Sequence, residues 1–251
     1  AYVLHRSKLQ ATAEKNFDFV EKHGALAGLP KGLTRRIQAI LLPLRHAEYA
    51  ANLNNCYISA YGWGAAVTQA TTFAMMDRLG IAQYLSRIGL LIDGNTGESL
   101  KAAKQSWMED PVWQPLRKHC EDSFVVQDWF ELFVAQNLVT DGLLYPLVYG
   151  RFAGELSQTG GAVVSMLTEF MDEWYAESVK WVDAFVKTAA AESPENKHLL
   201  SQWVRDGIAS TTEALTPLAK LMDLEDAQPA LDEARAALLA RVAKTGLHVH
   251  T

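Results

Sequence analysis

The chain has 251 residues, 49% apolar and 21% charged, and its 23 basic and 29 acidic side chains leave a net charge of −6. That length buries one large core or two small ones, and the acidic balance argues against a nucleic-acid partner. Its longest apolar runs, such as residues 88–92, fall far short of a bilayer span. Two cysteines, Cys56 and Cys120, set no disulfide framework and suit reduced thiols in a cytoplasmic protein. The opening Ala1-Tyr2-Val3-Leu4 lacks an initiator Met and the apolar run of a signal peptide, so a missing upstream segment is expected.

Nearly every segment reads as helix. Leu4, Leu9, Ala13, Phe17 and Val20 recur at close to helical spacing, and His23-Gly24 supplies a stop. Thr34 is placed to cap a second helix through Ile37, Ile40 and Leu41, and Pro43 forces a kink or a fresh start. Residues 44–85 follow as two long helices, or as one broken near Gly62 and Gly64. Asn52, Asn54 and Asn55 are unusual in a helix interior; they bond across to another helix or face a partner. Asp93-Gly94-Asn95-Thr96-Gly97 is the clearest turn. A short helix spans 98–108, and Asp110 with Pro111 starts another. Asp122 or Ser123 restarts the chain into a helix over 124–149, apolar all round and therefore central, bent at Pro146. Residues 158–161 separate it from a helix over 162–190. Ser193, Pro194 and Glu195 begin the next, to about residue 222. The last covers 229–244 and stops at Gly246, leaving a frayed tail from Leu247 to Thr251. No stretch alternates with period two, so the chain reads as one all-α domain, residues 1–251.

Such a bundle invites a search for metal ligands. A di-metal carboxylate bundle takes a Glu from each of two helices and a Glu-x-x-His from each of the other two. Glu48 stands where a first acid belongs, but Arg78 and Ile81 occupy the places of the following Glu and His. Among seven histidines, only Glu195-Asn196-Lys197-His198 has the spacing; it sits in a polar first turn without a second copy. His248 and His250 lie on a terminus with nothing to orient them. Asp232-Glu233-Ala234-Arg235-Ala236 imitates an iron-binding run but ends in Ala, and reads as an amphipathic surface. Gly-x-Ser-x-Gly and phosphate-binding loops are absent. His119 and Cys120 point about 100° apart on a helix and form no dyad. The remaining acids, including Asp77, Glu131, Asp172 and Glu173, suit ion pairs with Arg45, Arg78 or Arg87.

The runs LRHAEYAANLNN, MMDRLGIAQYLSRIGLLIDGNTG, DWFELFVAQNLVTDGLLYPLVYGRF and MLTEFMDEWYAES resemble the β subunit of the hydroxylase of bacterial multicomponent monooxygenases, and the phenol hydroxylase branch above all. The resemblance covers residues 1–246. It implies a ferritin-like, ribonucleotide-reductase-like bundle with additional helices. It also implies an (αβγ)₂ assembly in which the α subunit holds a di-iron site and the β subunit holds no cofactor. The complex would hydroxylate phenol or a related aromatic with O₂ and NADH-derived electrons, delivered through a reductase and a regulatory, or coupling, protein. The partners are then the α and γ subunits and a second β subunit across a two-fold, with neither nucleic acid nor membrane. The family pattern marks Glu48, Arg78, Ile81, Asp172 and Tyr175 as positions of a degenerate metal site, with Gln136-Asn137 opposite. His46, Asn52, Asn54 and Asn55 are the expected subunit contacts, and no catalytic residue is expected in this chain. The rival readings are a self-sufficient ferritin-like metal enzyme and a stand-alone helical binding protein.

Overall fold

A computed structural model describes residues 2–222 and 227–249, and among these every regular element is helical. Helices α1 (Tyr2–His23), α2 (Lys31–Ile40), α3 (Leu44–Tyr61), α4 (Ala65–Ile92), α5 (Glu98–Glu109) and α6 (Gln114–Ser123) lead into a long, interrupted helix, α7, over residues 129–156. Then come α8 (Ala162–Glu192), α9 (Pro194–Leu221) and α10 (Ala227–Ala243). No helix among the described residues is long and apolar enough to cross a membrane.

Helices α3 and α4 are two elements. Gly62 turns extended and Gly64 takes φ 96°, a conformation that side chains disfavour. The pair runs antiparallel, since Ser59 meets Thr68, Asn52 meets Met75 and Glu48 meets Arg78. They pack with α7 and α8 into the inner bundle, with α9 and α10 closing one side and α1 lying along α8. Phe17, Ile37, Ile81, Leu116, Phe133, Phe152 and Trp174 are buried in the core. Each such side chain stabilises the fold by about 1.5–3 kcal/mol relative to exposure. Gly142 lets α10 approach α7, because a Cβ there would come 2.7 Å from Leu238.

Several boundaries differ from those expected. Helix α2 begins at Lys31, so Thr34 lies one turn inside, its hydroxyl donating back to the Pro30 carbonyl at 3.3 Å. Asp110 turns the chain, accepting from the Val112 N–H at 3.0 Å, and α6 starts only at Gln114. Residues 124–128 leave the helix altogether. Asp128, rather than Asp122 or Ser123, caps α7: its carboxylate accepts from the N–H groups of Phe130 and Glu131 at 2.7 and 3.2 Å. Two π-helical turns, Val134–Thr140 and Pro146–Phe152, then interrupt α7. Pro146 lacks an N–H for the regular ladder, which accounts for the second interruption starting there. The tail is docked rather than frayed over its described part. Leu247 is buried, and the His248 N–H donates to Ser201 Oγ at 3.3 Å. His250 and Thr251 lie outside the described residues.

Candidate functional site

The centre of the inner bundle is polar. Arg78 on α4, Glu48 on α3 and Asp141 and Tyr145 on α7 are all buried, Arg78 and Glu48 to 1% exposure. Arg78 Nη1 donates to Glu48 Oε2 at 2.9 Å and to the Tyr145 hydroxyl at 2.7 Å, while Nη2 donates to Asp141 Oδ2. Tyr145 in turn donates to Glu48 Oε1 at 2.9 Å. Gln136 donates to Asp141 Oδ1 at 3.0 Å, and Asn54 donates to Gln136 Oε1 at 2.8 Å. The guanidinium lies 4.3 Å from the Trp174 ring centroid, a cation–π contact with α8.

Burial and the neighbouring charges act on these groups in opposite directions. Burial opposes the charge on Arg78, but Asp141, Tyr145 and Glu48 outweigh it and hold the guanidinium well above its usual range. Burial pushes the Glu48 carboxyl up, against the pull of Arg78. The Tyr145 phenol is likewise raised by burial and stays a donor. A half-satisfied buried charge would be costly; here each carboxylate oxygen has a donor. A di-metal centre does not fit. Arg78 bridges Glu48 and Asp141 where the ions would sit, and no three His, Cys, Asp or Glu side chains converge among the described residues.

The positions marked from sequence divide sharply. Glu48 and Arg78 meet, and Ile81 is fully buried in the core. Asp172 is not brought to this centre: it faces outward, and Trp174 is the α8 residue that reaches Arg78. Tyr175 stacks on Tyr145 and accepts from Arg241 at 3.2 Å. Opposite Glu48 stand Asp141 and Tyr145, not Gln136-Asn137 alone. Sequence reading missed both, although Asp141 is a lone acid in the most apolar stretch of the chain, one helical turn before Tyr145.

Of the expected contact residues, Asn54 and Asn55 need correction. Asn54 and Asn55 point inward: Asn54 bonds Gln136 and Ser123, and Asn55 accepts from Asn137 at 3.2 Å. Asn52 is half-buried and donates to the Met75 carbonyl at 2.7 Å. His46 is half-buried against Trp107, its rings 5.7 Å apart. Outward from α3 and α4 stand Tyr49, Leu53, Met76 and Leu79 instead, and Met76 is 60% exposed. The antiparallel register sets these four side by side as an apolar patch.

A cavity of about 340 Å³ reaches the polar centre from outside. Its walls come from α3, α6, α7 and α9, and it is lined by Glu48, Arg78 and Asp141 at one end. Cys120 borders it, with its thiol pushed up to about 12 by burial and therefore inert as a nucleophile.

The family model described as Methane/Phenol/Alkene Hydroxylase matches residues 1–193. The oxygenase component DmpL of phenol 2-monooxygenase from Pseudomonas sp. (strain CF600) is 50% identical over 249 residues, 98% of this chain and 74% of that protein. The corresponding component MhpL from Acinetobacter pittii (strain PHEA-2) is 47% identical over 246 residues, 98% of this chain and 73% of that protein. Xenon-pressurised phenol hydroxylase from Pseudomonas sp. OX1 superposes with a TM-score of 0.93 at 44% identity, covering 99% of this chain and 75% of that one. Toluene 4-monooxygenase shares the fold with a TM-score of 0.82 at 17% identity, over 89% and 74% of the two chains.

Proposed function

The chain belongs to the methane/phenol/alkene hydroxylase family, and on that premise we propose that it is the supporting β-type subunit of a multicomponent phenol hydroxylase. It carries no metal and performs no chemistry of its own. A partner α subunit holds the di-iron centre that activates O₂, and a γ subunit and a second β subunit complete the assembly. A reductase and a coupling protein bring NADH-derived electrons to the complex, which acts in the cytoplasm on phenol or a related aromatic. The observation that carries this reading is Arg78 between Glu48 and Asp141. A guanidinium bonded to both carboxylates takes the space and the lone pairs that a metal pair would need.

The outer face of α3 and α4 supplies the contact with a partner subunit through Tyr49, Leu53, Met76 and Leu79. This face replaces the inward Asn54 and Asn55 as the docking surface. Co-purification with iron analysis tests the whole reading. The chain should isolate with a larger subunit bearing paired Glu-x-x-His motifs, and iron should follow that subunit. Stoichiometric iron bound by this chain alone, or a monodisperse monomer that recruits no partner, would overturn it.

A further inference from the structure

Around Arg78 the aromatic rings touch in a way that suits electron movement. The Tyr145 ring lies 4.9 Å from Tyr149, 5.3 Å from Trp174 and 5.4 Å from Tyr175, centroid to centroid. Tyr145, Tyr149 and Trp174 are buried, whereas Tyr175 is half-buried. Trp174 also meets the half-buried Tyr2 at a shared carboxylate, since both donate to Asp77, at 2.9 and 2.6 Å. Tyrosine and tryptophan yield single electrons to strong oxidants. The enclosed Tyr145 ring therefore has ring contacts leading outward on two sides, through Trp174 and through Tyr175.

Electron loss makes a tyrosine hydroxyl strongly acidic, so the oxidised ring persists where its proton has an acceptor. Tyr145 has one, because its hydroxyl donates to Glu48 Oε1 at 2.9 Å. Burial makes the Glu48 carboxylate a stronger base than usual, against the pull of Arg78. Tyr149 has none, since its hydroxyl makes no hydrogen bond. With Glu48 and Asp141 both ionised, the single guanidinium leaves one negative charge in excess, and electron loss from Tyr145 removes it. Arg78 Nη1 opposes that loss by donating to the same hydroxyl at 2.7 Å, but it stays to hold the oxygen afterwards.

We propose that Tyr145 is a one-electron oxidation site, with Glu48 as its proton acceptor and Trp174 and Tyr175 as its electron routes. The Tyr145 O–H bond breaks and an O–H bond forms on Glu48 Oε1. The electron passes outward through Trp174 or Tyr175 to a strong one-electron oxidant, a high-potential metal complex, whose metal is reduced by one unit. A neutral tyrosyl radical remains. One electron from a reductant, with return of the proton from Glu48, restores the starting state. The site lies wholly within this chain and does not depend on the subunit role.

The intact assembly, as isolated, should be flash-oxidised with photogenerated tris(bipyridyl)ruthenium(III) and frozen for EPR, with and without ascorbate. A tyrosyl radical that survives ascorbate is expected, because exposed tyrosines such as Tyr49 and Tyr61 are quenched. Deuterium exchange should reveal two hydrogen bonds to its oxygen, one from Arg78 and one from the proton moved to Glu48. Tyr145→Phe should abolish this signal. Glu48→Gln should abolish it too, since the amide keeps an acceptor oxygen but takes up no proton. Tyr61→Phe should leave it unchanged. Radicals that all vanish with ascorbate overturn the proposal, as does a protected radical unchanged in folded Tyr145→Phe or folded Glu48→Gln. If both variants misfold, a protected radical lacking the two hydrogen bonds overturns it, and one that has them supports it.

Discussion

Adjacent residues on α4 anchor two networks that differ in what encloses them. Arg78 faces the bundle centre and binds Glu48, Asp141 and Tyr145, all at 4% side-chain exposure or less. Asp77 faces α1. It accepts from Tyr2 at 2.6 Å, from Arg6 at 2.9 Å and from Trp174 Nε1 at 2.9 Å, while Arg6 is 13% exposed and also reaches the part-exposed Glu177. The first network joins the inner helices; the second ties on a peripheral one. Coulomb energies are alike in kind, but water relieves a broken pair only in the second.

The largest effect should come from Arg78→Ala. It strands two buried carboxylates, and denaturant unfolding should show a loss of about 3–5 kcal/mol. Replacing the triad together, as Glu48→Gln, Arg78→Met and Asp141→Asn, should recover most of that loss, since no charge is left unpaired. If the triple variant is as unstable as the single one, the loss comes from packing around Trp174 and not from stranded charge. Tyr145→Phe removes one donor to Glu48 and one acceptor from Arg78, and should cost about 1–3 kcal/mol by the same measurement.

Much of this architecture is legible in local chemistry. Ser193 with Pro194 starts α9, the glycines at 62 and 64 divide α3 from α4, and Gly160 at φ 95° breaks the chain before α8. These signals act through the backbone of the residue itself and need no tertiary information. The Glu48–Arg78 pairing was legible too, through the family pattern. What stayed hidden depends on which neighbour a side chain finds. Asn54 and Asn55 look like surface amides until α7 supplies Gln136 and Asn137. Asp172 keeps the right spacing for a ligand on the wrong face, since periodicity gives a helix but not its rotation about the axis. Two π turns shift the register of α7, so residues counted from its start do not reach the level expected of them.

The peripheral network predicts a smaller and more local response. Asp77→Asn keeps an acceptor for Tyr2 or Trp174 but ends the ion pair with Arg6, which should cost about 1–2 kcal/mol. Hydrogen exchange should quicken in α1 while α3, α4 and α7 stay protected. Exchange that quickens equally across the inner helices would abolish the distinction between the two networks.

The pH response should carry the smallest signal and the sharpest contrast. Burial raises the carboxyls of both Glu48 and Asp77, against the opposing charges of Arg78 and Arg6. A carboxyl whose pKa is raised on folding binds more protons in the native state. Its contribution is therefore full below the unfolded value, about 4.5 for Glu and 3.8 for Asp, and falls as pH climbs through the folded value. Glu48 is wholly enclosed, while Asp77 keeps 8% exposure and an outlet through Arg6. Melting temperatures measured from mildly acidic to neutral pH should decline with a slope that Glu48→Gln flattens more than Asp77→Asn. Equal flattening would mean that solvent reaches both carboxyls alike, and that enclosure does not separate the two sides of α4.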